Sequence, residues 1–517
     1  MTPPGRRPRS GRTGPGPRDR ERLDRAGDGR RDRGDRRERD GARRGQSGRE
    51  RRDRGGEGRS ERGHRWAPGG AARYAAYQAV AAVHRDDAYA NLALPAVLAQ
   101  AGLSGRDAAL ATELTYGTLR RQGTLDEIIA TAADRPVERI DPPVRDALRL
   151  GAYQLLHTRV PAHAAVSATV GLVKVVAPGA TGFANAVLRK IAAEPLDAWL
   201  AKLAPPYEAD PVANLALTYS HPPWVVRAFA ESLGGDLAEV ARLLAEDNEP
   251  ALVHLCARPG RISAAELADE VGGAPGAFSP YAVYLPGGHP GDLPAVAEGR
   301  AHVQDEGSQL VTLALTEVPV SEGPAEQWLD LCAGPGGKAA LLGGLAAQRG
   351  TTVTAVEVAA HRAALVERAV AGLPVTVRQE DGRTAGETDP GRFARVLVDA
   401  PCTGLGALRR RPEARWRRQP SDLPALTRLQ RELLVAAIAA TRPGGVVAYA
   451  TCSPHLAETA VTVAEARRRS PHPTTLLDAR PYLPEGMPGL GEGPTVQLWP
   501  HRHGTDAMYL ALVRRTA

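Results

Sequence analysis

Cysteine is scarce in this chain of 517 residues, with only Cys256, Cys332, Cys402 and Cys452. They are widely spaced, form no Cys-x-x-Cys pair and have no histidines at finger spacing, which excludes a disulfide framework and a zinc ribbon; no metal is expected. Long uncharged apolar runs are also missing. None approaches the roughly 18 residues of a membrane span, and the N-terminus lacks an apolar signal-type stretch. A cytoplasmic protein with reduced thiols and no membrane partner is expected. Apolar residues nearly vanish over residues 1–67, where Arg30-Arg31-Asp32-Arg33-Gly34-Asp35-Arg36-Arg37 is representative. Burial there cannot offset the entropy of ordering, so this segment reads as a disordered tail, serving either as an RNA-steering arm of mobile charge or as a solubilising extension. The rest of the chain has no basic excess. Of the formal net charge of +7, residues 1–65 contribute +11 from 23 Arg against 12 acidic residues, leaving 43 basic and 47 acidic residues, or −4. Global charge therefore does not identify the partner of the folded body.

Length alone suggests two to four domains at roughly 100–200 residues each. Amphipathic patterns of helical period, such as Ala109-Leu110-Ala111-Thr112-Glu113-Leu114-Thr115-Tyr116, predict an all-α bundle over residues 68–205. Strand-like runs such as Ala251-Leu252-Val253-His254-Leu255, mixed with turns such as Pro286-Gly287-Gly288-His289, predict a small α+β linking domain over residues 206–320. Beyond it, short apolar runs alternate with helical patterns. That alternation predicts an α/β domain of Rossmann-like type over residues 321–517.

In that domain Gln327-Trp328-Leu329-Asp330-Leu331 reads as a buried strand, followed by the turn Cys332-Ala333-Gly334-Pro335-Gly336-Gly337-Lys338 and a helix. Glycines after a first strand let a ligand approach the backbone. A phosphate-binding loop built on the pair Gly337-Lys338 would need glycine at position 332 and Ser or Thr at position 339. Cys332 and Ala339 stand there, which rules it out. The next strand ends at Glu357, 20 residues beyond Gly337, where doubly wound folds bond ribose hydroxyls. Asp381 and Asp399 close two further strands. Three acids at carboxyl strand ends face one crevice and suit an adenosyl ligand.

Two cysteines also end strand-like runs, Cys402 after Val396-Leu397-Val398-Asp399-Ala400-Pro401 and Cys452 after Val446-Val447-Ala448-Tyr449-Ala450-Thr451. Carbon 5 of cytosine is a weak nucleophile until carbon 6 is attacked, and a thiolate suits that attack. An acid near ring nitrogen 3, with Asp399 as the candidate, would absorb the charge that develops. The segment Arg409-Arg410-Arg411-Pro412-Glu413-Ala414-Arg415-Trp416-Arg417-Arg418 mixes guanidinium groups with an aromatic ring and reads as a phosphate-facing and base-facing loop, or else as a solvated one.

The strings Gln304-Asp305-Glu306-Gly307-Ser308-Gln309, Cys332 to Lys338, Asp399-Ala400-Pro401-Cys402-Thr403-Gly404 and Thr451-Cys452-Ser453-Pro454 resemble the Sun (RsmB/Nop) family of RNA cytosine-5 methyltransferases over about residues 205–515. In front of it, Glu113-Leu114-Thr115-Tyr116-Gly117-Thr118-Leu119-Arg120 and Phe183-Ala184-Asn185-Ala186-Val187-Leu188-Arg189 resemble a NusB-like RNA-binding domain, about a quarter of the chain. The resemblance implies S-adenosylmethionine held by Cys332, Ala333, Gly334, Pro335, Gly336, Gly337, Lys338, Glu357, Asp381 and Asp399. It further implies Cys452 as nucleophile, Cys402 in product release, and a monomer acting on RNA, with 16S ribosomal RNA favoured by the NusB-like front end. A transfer RNA substrate and a non-catalytic RNA-binding role stay open, as does Lys338, which suits either a cofactor contact or a solvent-facing helix start. The chain departs from the family pattern at Leu255-Cys256-Ala257-Arg258, at Asp506-Ala507-Met508-Tyr509 and in keeping the single acid Glu458 after Cys452.

Overall fold

The computed structural model describes residues 69–321 and 326–517; the tail expected over residues 1–67 lies outside them. From Gly70 to Ile191 the chain forms seven α-helices, Gly70–Arg85, Ala90–Ala101, Gly105–Arg120, Gln122–Ala133, Pro142–His157, Ala162–Val176 and Thr181–Ile191. In Gly105–Arg120 the residues Ala111, Leu114, Thr115, Thr118 and Leu119 recur at helical spacing, and all are buried. They face Val80, Ile128, Leu148 and Leu188 in one core. Each fully buried leucine contributes roughly 1.5–3 kcal/mol of transfer free energy. Tyr153 belongs to this core and donates its hydroxyl to Glu113 at 2.6 Å, while Tyr116 packs at the edge. The all-α bundle is as expected.

Four helices, Leu196–Leu203, Pro211–Thr218, Pro223–Ser232 and Leu237–Glu246, lead into an antiparallel sheet of β1 (Val253–Ala257), β2 (Ala274–Pro275), β3 (Ala282–Leu285) and β4 (Ala301–Val303), ordered β2-β3-β1-β4. The following helix, Glu306–Glu317, falls within the linking span by sequence, yet its Leu310, Val311 and Leu315 share a core with Trp328, Leu341 and Leu397. Packing places it on the next domain's sheet.

That sheet comprises β5 (Gln327–Asp330), β6 (Thr352–Val356), β7 (Val375–Arg378), β8 (Phe393–Asp399), β9 (Thr441–Thr451), β10 (Thr474–Leu477), β11 (Val496–Gln497) and β12 (Tyr509–Arg515). The order is β10-β12-β9-β8-β5-β6-β7, with β11 on β12. The run from β7 to β9 is parallel, and β12 enters antiparallel between β9 and β10. Parallel strands are covered on both faces, which is why Val396-Leu397-Val398 and Val446-Val447-Ala448-Tyr449-Ala450 are continuous apolar runs, all buried. Strand order reverses between β5 and β8. A crevice opens at such a switch, outside the carboxyl ends of the strands. Among the described residues no helix is long and apolar enough to cross a membrane.

The loop after Cys402 corrects the sequence reading. Most of the guanidinium groups of residues 409–418 bind protein. Arg409 pairs with Glu246 at 2.6 Å, and Arg410 bridges Asp305 and Asp506, both at 2.9 Å. Arg415 is fully buried and donates to the carbonyls of Arg120 (2.9 Å) and Asp247 (2.8 Å) and to Asn248 Oδ1 (2.8 Å), while Arg417 donates to the carbonyls of Val83 and Ala88. Arg411 alone in this stretch is exposed, and its guanidinium lies 5.5 Å from the Tyr89 ring centroid. The segment is a strap between the helical bundle, the linking helices and the sheet domain. A solvated loop has no partners for so many donors; here the backbone carbonyls of neighbouring elements supply them. Arg415→Ala is therefore expected to lower unfolding free energy by about 3 kcal/mol or more, read by urea denaturation of the full chain; a loss under about 1 kcal/mol would show that water replaces the guanidinium.

Candidate active site

β5 ends at Asp330, and the chain turns through residues 332–336 into the helix Gly337–Gln348. Gly336 has φ +117°, a conformation L side chains rarely adopt, and a Cβ there would lie 2.6 Å from the Ala369 Cβ. The turn is pinned to the end of β6. Gly334 N–H donates to Glu357 Oε2 at 3.1 Å, Ala333 N–H to the Val356 carbonyl at 2.9 Å, and Arg362 to the Gly334 carbonyl. The other Glu357 oxygen accepts from Ala359 N–H at 3.0 Å. Pro335 is exposed at the tip of the turn, and Gly337 opens the helix, whose first N–H groups have no intrahelical partner. Burial, then the charges of Asp330 and Asp399, push the Cys332 thiol well above its ordinary range. Its place is structural. Asp381 follows β7 and is engaged by Arg383, whose guanidinium pairs with it at 2.6 Å and holds its carboxyl below the ordinary value.

Lys338 is not a solvent-facing helix-start lysine. Its ammonium donates to Asp399 Oδ2 at 2.8 Å and to Ser308 Oγ at 3.2 Å. Burial acts against the charged form, but Asp399, its hydrogen bond, and the nearby Cys452 and Asp330 outweigh it, so Lys338 stays cationic above its ordinary range. Ser308 lies in the Gln304 to Gln309 string, whose other members hold the linking sheet: Asp305 caps the helix Glu306–Glu317, and Glu306 accepts from the N–H groups of Phe278 and Ser279, both at 2.7 Å.

Asp330 is the residue that sequence reasoning missed. It has no exposed surface, and neither carboxylate oxygen has a hydrogen-bond partner. Burial, and then the charge of Asp399, push it up to about 7. The available signal was an acid closing the first strand, in line with those closing the others.

Cys402 and Cys452 come together, Sγ to Sγ at 3.6 Å, and both are half-buried. Their loops are joined at several points. Gly406 N–H donates to the Cys452 carbonyl at 2.8 Å, and the Ala507 N–H donates to the Gly406 carbonyl at 2.8 Å; a Cβ on Gly406 would lie 2.4 Å from the Ala507 carbonyl oxygen. Ser232 donates to the Pro454 carbonyl, bringing a linking helix against the Cys452 loop. The hydrogen bond to Cys452, burial, and the charges of Cys452 and Glu458 push the Cys402 thiol well above its ordinary range. The geometry thus gathers the glycine turn, Lys338, Asp399 and both thiols at the switch point.

A family model described as 16S rRNA methyltransferase RsmB/F matches residues 319–514, and the NusB family model matches residues 70–193. Rv1407 of Mycobacterium tuberculosis strain H37Rv, whose name carries methyltransferase and no substrate, is 59% identical over 86% of this chain and 96% of its own. Ribosomal RNA small subunit methyltransferase B of Pseudomonas putida is 35% identical over 74% of this chain and 85% of its own; that of Escherichia coli is 33% identical over 76% and 90%. The crystal structure of PH0851 has the same fold, with a TM-score of 0.72 at 23% identity over 86% of this chain and 99% of that one.

Asp330 offers a test that needs no RNA. Its raised value means that the folded state disfavours the charged form, so stability falls as pH rises from the ordinary carboxylate range to about 7. Asp330→Asn is expected to raise the thermal midpoint of the ligand-free chain at about pH 8.5, and to raise it by roughly half as much at about pH 5.5, midway through that window. Equal shifts at both pH values would show that the carboxylate is not electrostatically strained.

Proposed function

The chain belongs to the 16S rRNA methyltransferase RsmB/F family, and on that premise we propose that it methylates carbon 5 of a cytosine in 16S ribosomal RNA, with Cys452 as covalent nucleophile. The coarser activity is S-adenosylmethionine-dependent RNA methylation. The observation that carries the finer reading is the pair of thiols 3.6 Å apart beside the Lys338 ammonium.

The turn Cys332 to Lys338, with Asp330, Glu357, Asp381 and Asp399, would hold S-adenosylmethionine, which supplies an electrophilic methyl group on a sulfonium sulfur. Cys452 reacts as the thiolate, with the Lys338 ammonium nearby. The thiolate forms a bond to carbon 6 of the cytosine, and the electron pair of the 5,6 double bond moves toward carbon 5, with the ring's developing charge drawn to nitrogen 3. Nitrogen 3 takes up a proton as that charge develops, and Asp399, at the end of β8, would accept a hydrogen bond from the N–H so formed. Once carbon 5 is methylated, loss of its proton to a base re-forms the double bond and expels the Cys452 sulfur. Cys402, held as a thiol, assists that release. The base must leave its stack to reach a half-buried sulfur, so an unpaired segment is the expected target.

The test is tritium transfer from labelled S-adenosylmethionine to unmodified 16S RNA and to transfer RNA, with a denaturing gel for trapped RNA. Cys452→Ala is expected to lose transfer by more than about 1,000-fold, and Cys402→Ala to accumulate a covalent protein–RNA complex. Transfer to transfer RNA alone would overturn the substrate, and an active Cys452→Ala would overturn the nucleophile.

A further inference from the structure

Glu458 has no exposed surface, and its carboxylate is surrounded by neutral donors. Oε1 accepts from Thr403 N–H at 2.9 Å and from Gln430 Nε2 at 3.1 Å; Oε2 accepts from Thr403 Oγ1 at 2.5 Å and from Ser453 Oγ at 2.6 Å. Thr403 directly follows Cys402, and Ser453 directly follows Cys452. The two hydroxyls lie 3.0 Å apart, and Gln430 reaches past the carboxylate to the Pro401 carbonyl at 2.8 Å, on the other side of Cys402. Tyr449, from β9, donates its hydroxyl to the Glu458 backbone carbonyl at 2.7 Å. One buried side chain therefore ties together the loops after β8 and β9. A carboxylate buried away from cations is costly, and apolar residues would fill the same space at lower cost. The charge needs a reason.

We propose, resting on the reading of Cys452 as nucleophile and Cys402 as release residue, that Glu458 is a positioning residue that holds the two sulfurs in contact and sets a negative charge behind Cys402. The charges around the pair are arranged asymmetrically. The hydrogen bond to Cys452, burial, and the charges of Cys452 and Glu458 push Cys402 up, against the Gly404 N–H, which pulls it down. Cys452 acts on the Lys338 ammonium, which is itself paired with Asp399. The Glu458 charge behind Cys402 thus disfavours ionisation of that sulfur. It also leaves Cys402 with a proton to give when the Cys452 sulfur departs from carbon 6.

The experiment uses the full-length chain carrying Glu458→Gln, which keeps the volume and removes the charge. Iodoacetamide labelling of each cysteine is followed against pH by mass spectrometry, and kcat and KM are measured on unmodified 16S RNA. Cys402 labelling near neutral pH is expected to rise about tenfold, its profile moving down by about 1 unit. In turnover, kcat is expected to fall about tenfold or more with KM for RNA changed less than about twofold. Thr403→Val, which removes one hydroxyl donor at nearly constant shape, is expected to move both readouts in the same direction by less. A lost thermal transition in Glu458→Gln passes the decision to Thr403→Val. Unchanged labelling profiles, or an unchanged kcat, would overturn the proposal. Labelling needs no RNA, so wild-type protein that transfers no methyl group would sink the functional reading while this asymmetry is still measured on its own.

Discussion

The Lys338–Asp399 ion pair, 2.8 Å long and largely withdrawn from solvent, is the contact on which the chemistry of the crevice depends. At an effective dielectric of about 20, two opposite charges at this range attract by roughly 6 kcal/mol, before desolvation is subtracted. The crevice needs that cation. Asp330 and Asp399 end adjacent parallel strands, and Asp330 is already pushed toward neutrality by burial and by its neighbour. Without Lys338 the like charges would be left to repel each other. The lysine reaches them because the glycine turn starts its helix directly beyond β5, and Ser308, from a helix that precedes the sheet, steadies its other side. One ammonium group therefore joins the ligand turn to the thiol pair.

The same economy appears in the strap of residues 409–418. Burying a guanidinium group is unfavourable unless its donors are satisfied, and burial does lower Arg415 to about 9. Its donors meet carbonyls from the bundle and the linking helices, so its burial is tolerated only while those elements stay together. Trp416 packs against Gly123, where a Cβ would approach its ring to 2.3 Å. Cys402 and these docking residues lie on one continuous segment. Movement of the bundle is thereby coupled by the chain itself to the position of a site thiol.

Much of this was legible before any coordinates. The alternation of apolar runs gave away the doubly wound sheet, because parallel strands must be apolar on both faces; the glycine turn and the strand-end residues Glu357, Asp381, Asp399, Cys402 and Cys452 followed from position. What was not legible depended on partners distant in sequence. An arginine-rich stretch looks solvent-facing until the carbonyls of Val83, Arg120, Ser220 and Asp247 are seen around it. Lys338 looked equally suited to solvent or ligand until the β8 acid fell beside it. Glu458 registered only as a departure from a pattern, since nothing local reveals that Thr403, 55 residues earlier, donates to it. That helix Glu306–Glu317 touches both the linking sheet and the larger sheet was hidden for the same reason: its apolar stripe shows that it packs, not on what.

The thiol pair sets the strictest demand on the fold. Sulfurs 3.6 Å apart cannot both ionise cheaply, because the first thiolate raises the cost of the second by Coulomb repulsion in a poorly solvated site. Proximity alone thus disfavours the double thiolate, but it does not decide which sulfur loses its proton first. An apolar setting would leave the two sulfurs undistinguished. The decision has to come from fixed charges on opposite sides of the pair, and these are the two features that strand patterning does not reveal: an ammonium carried in by the ligand turn and a carboxylate buried behind the cysteine loops.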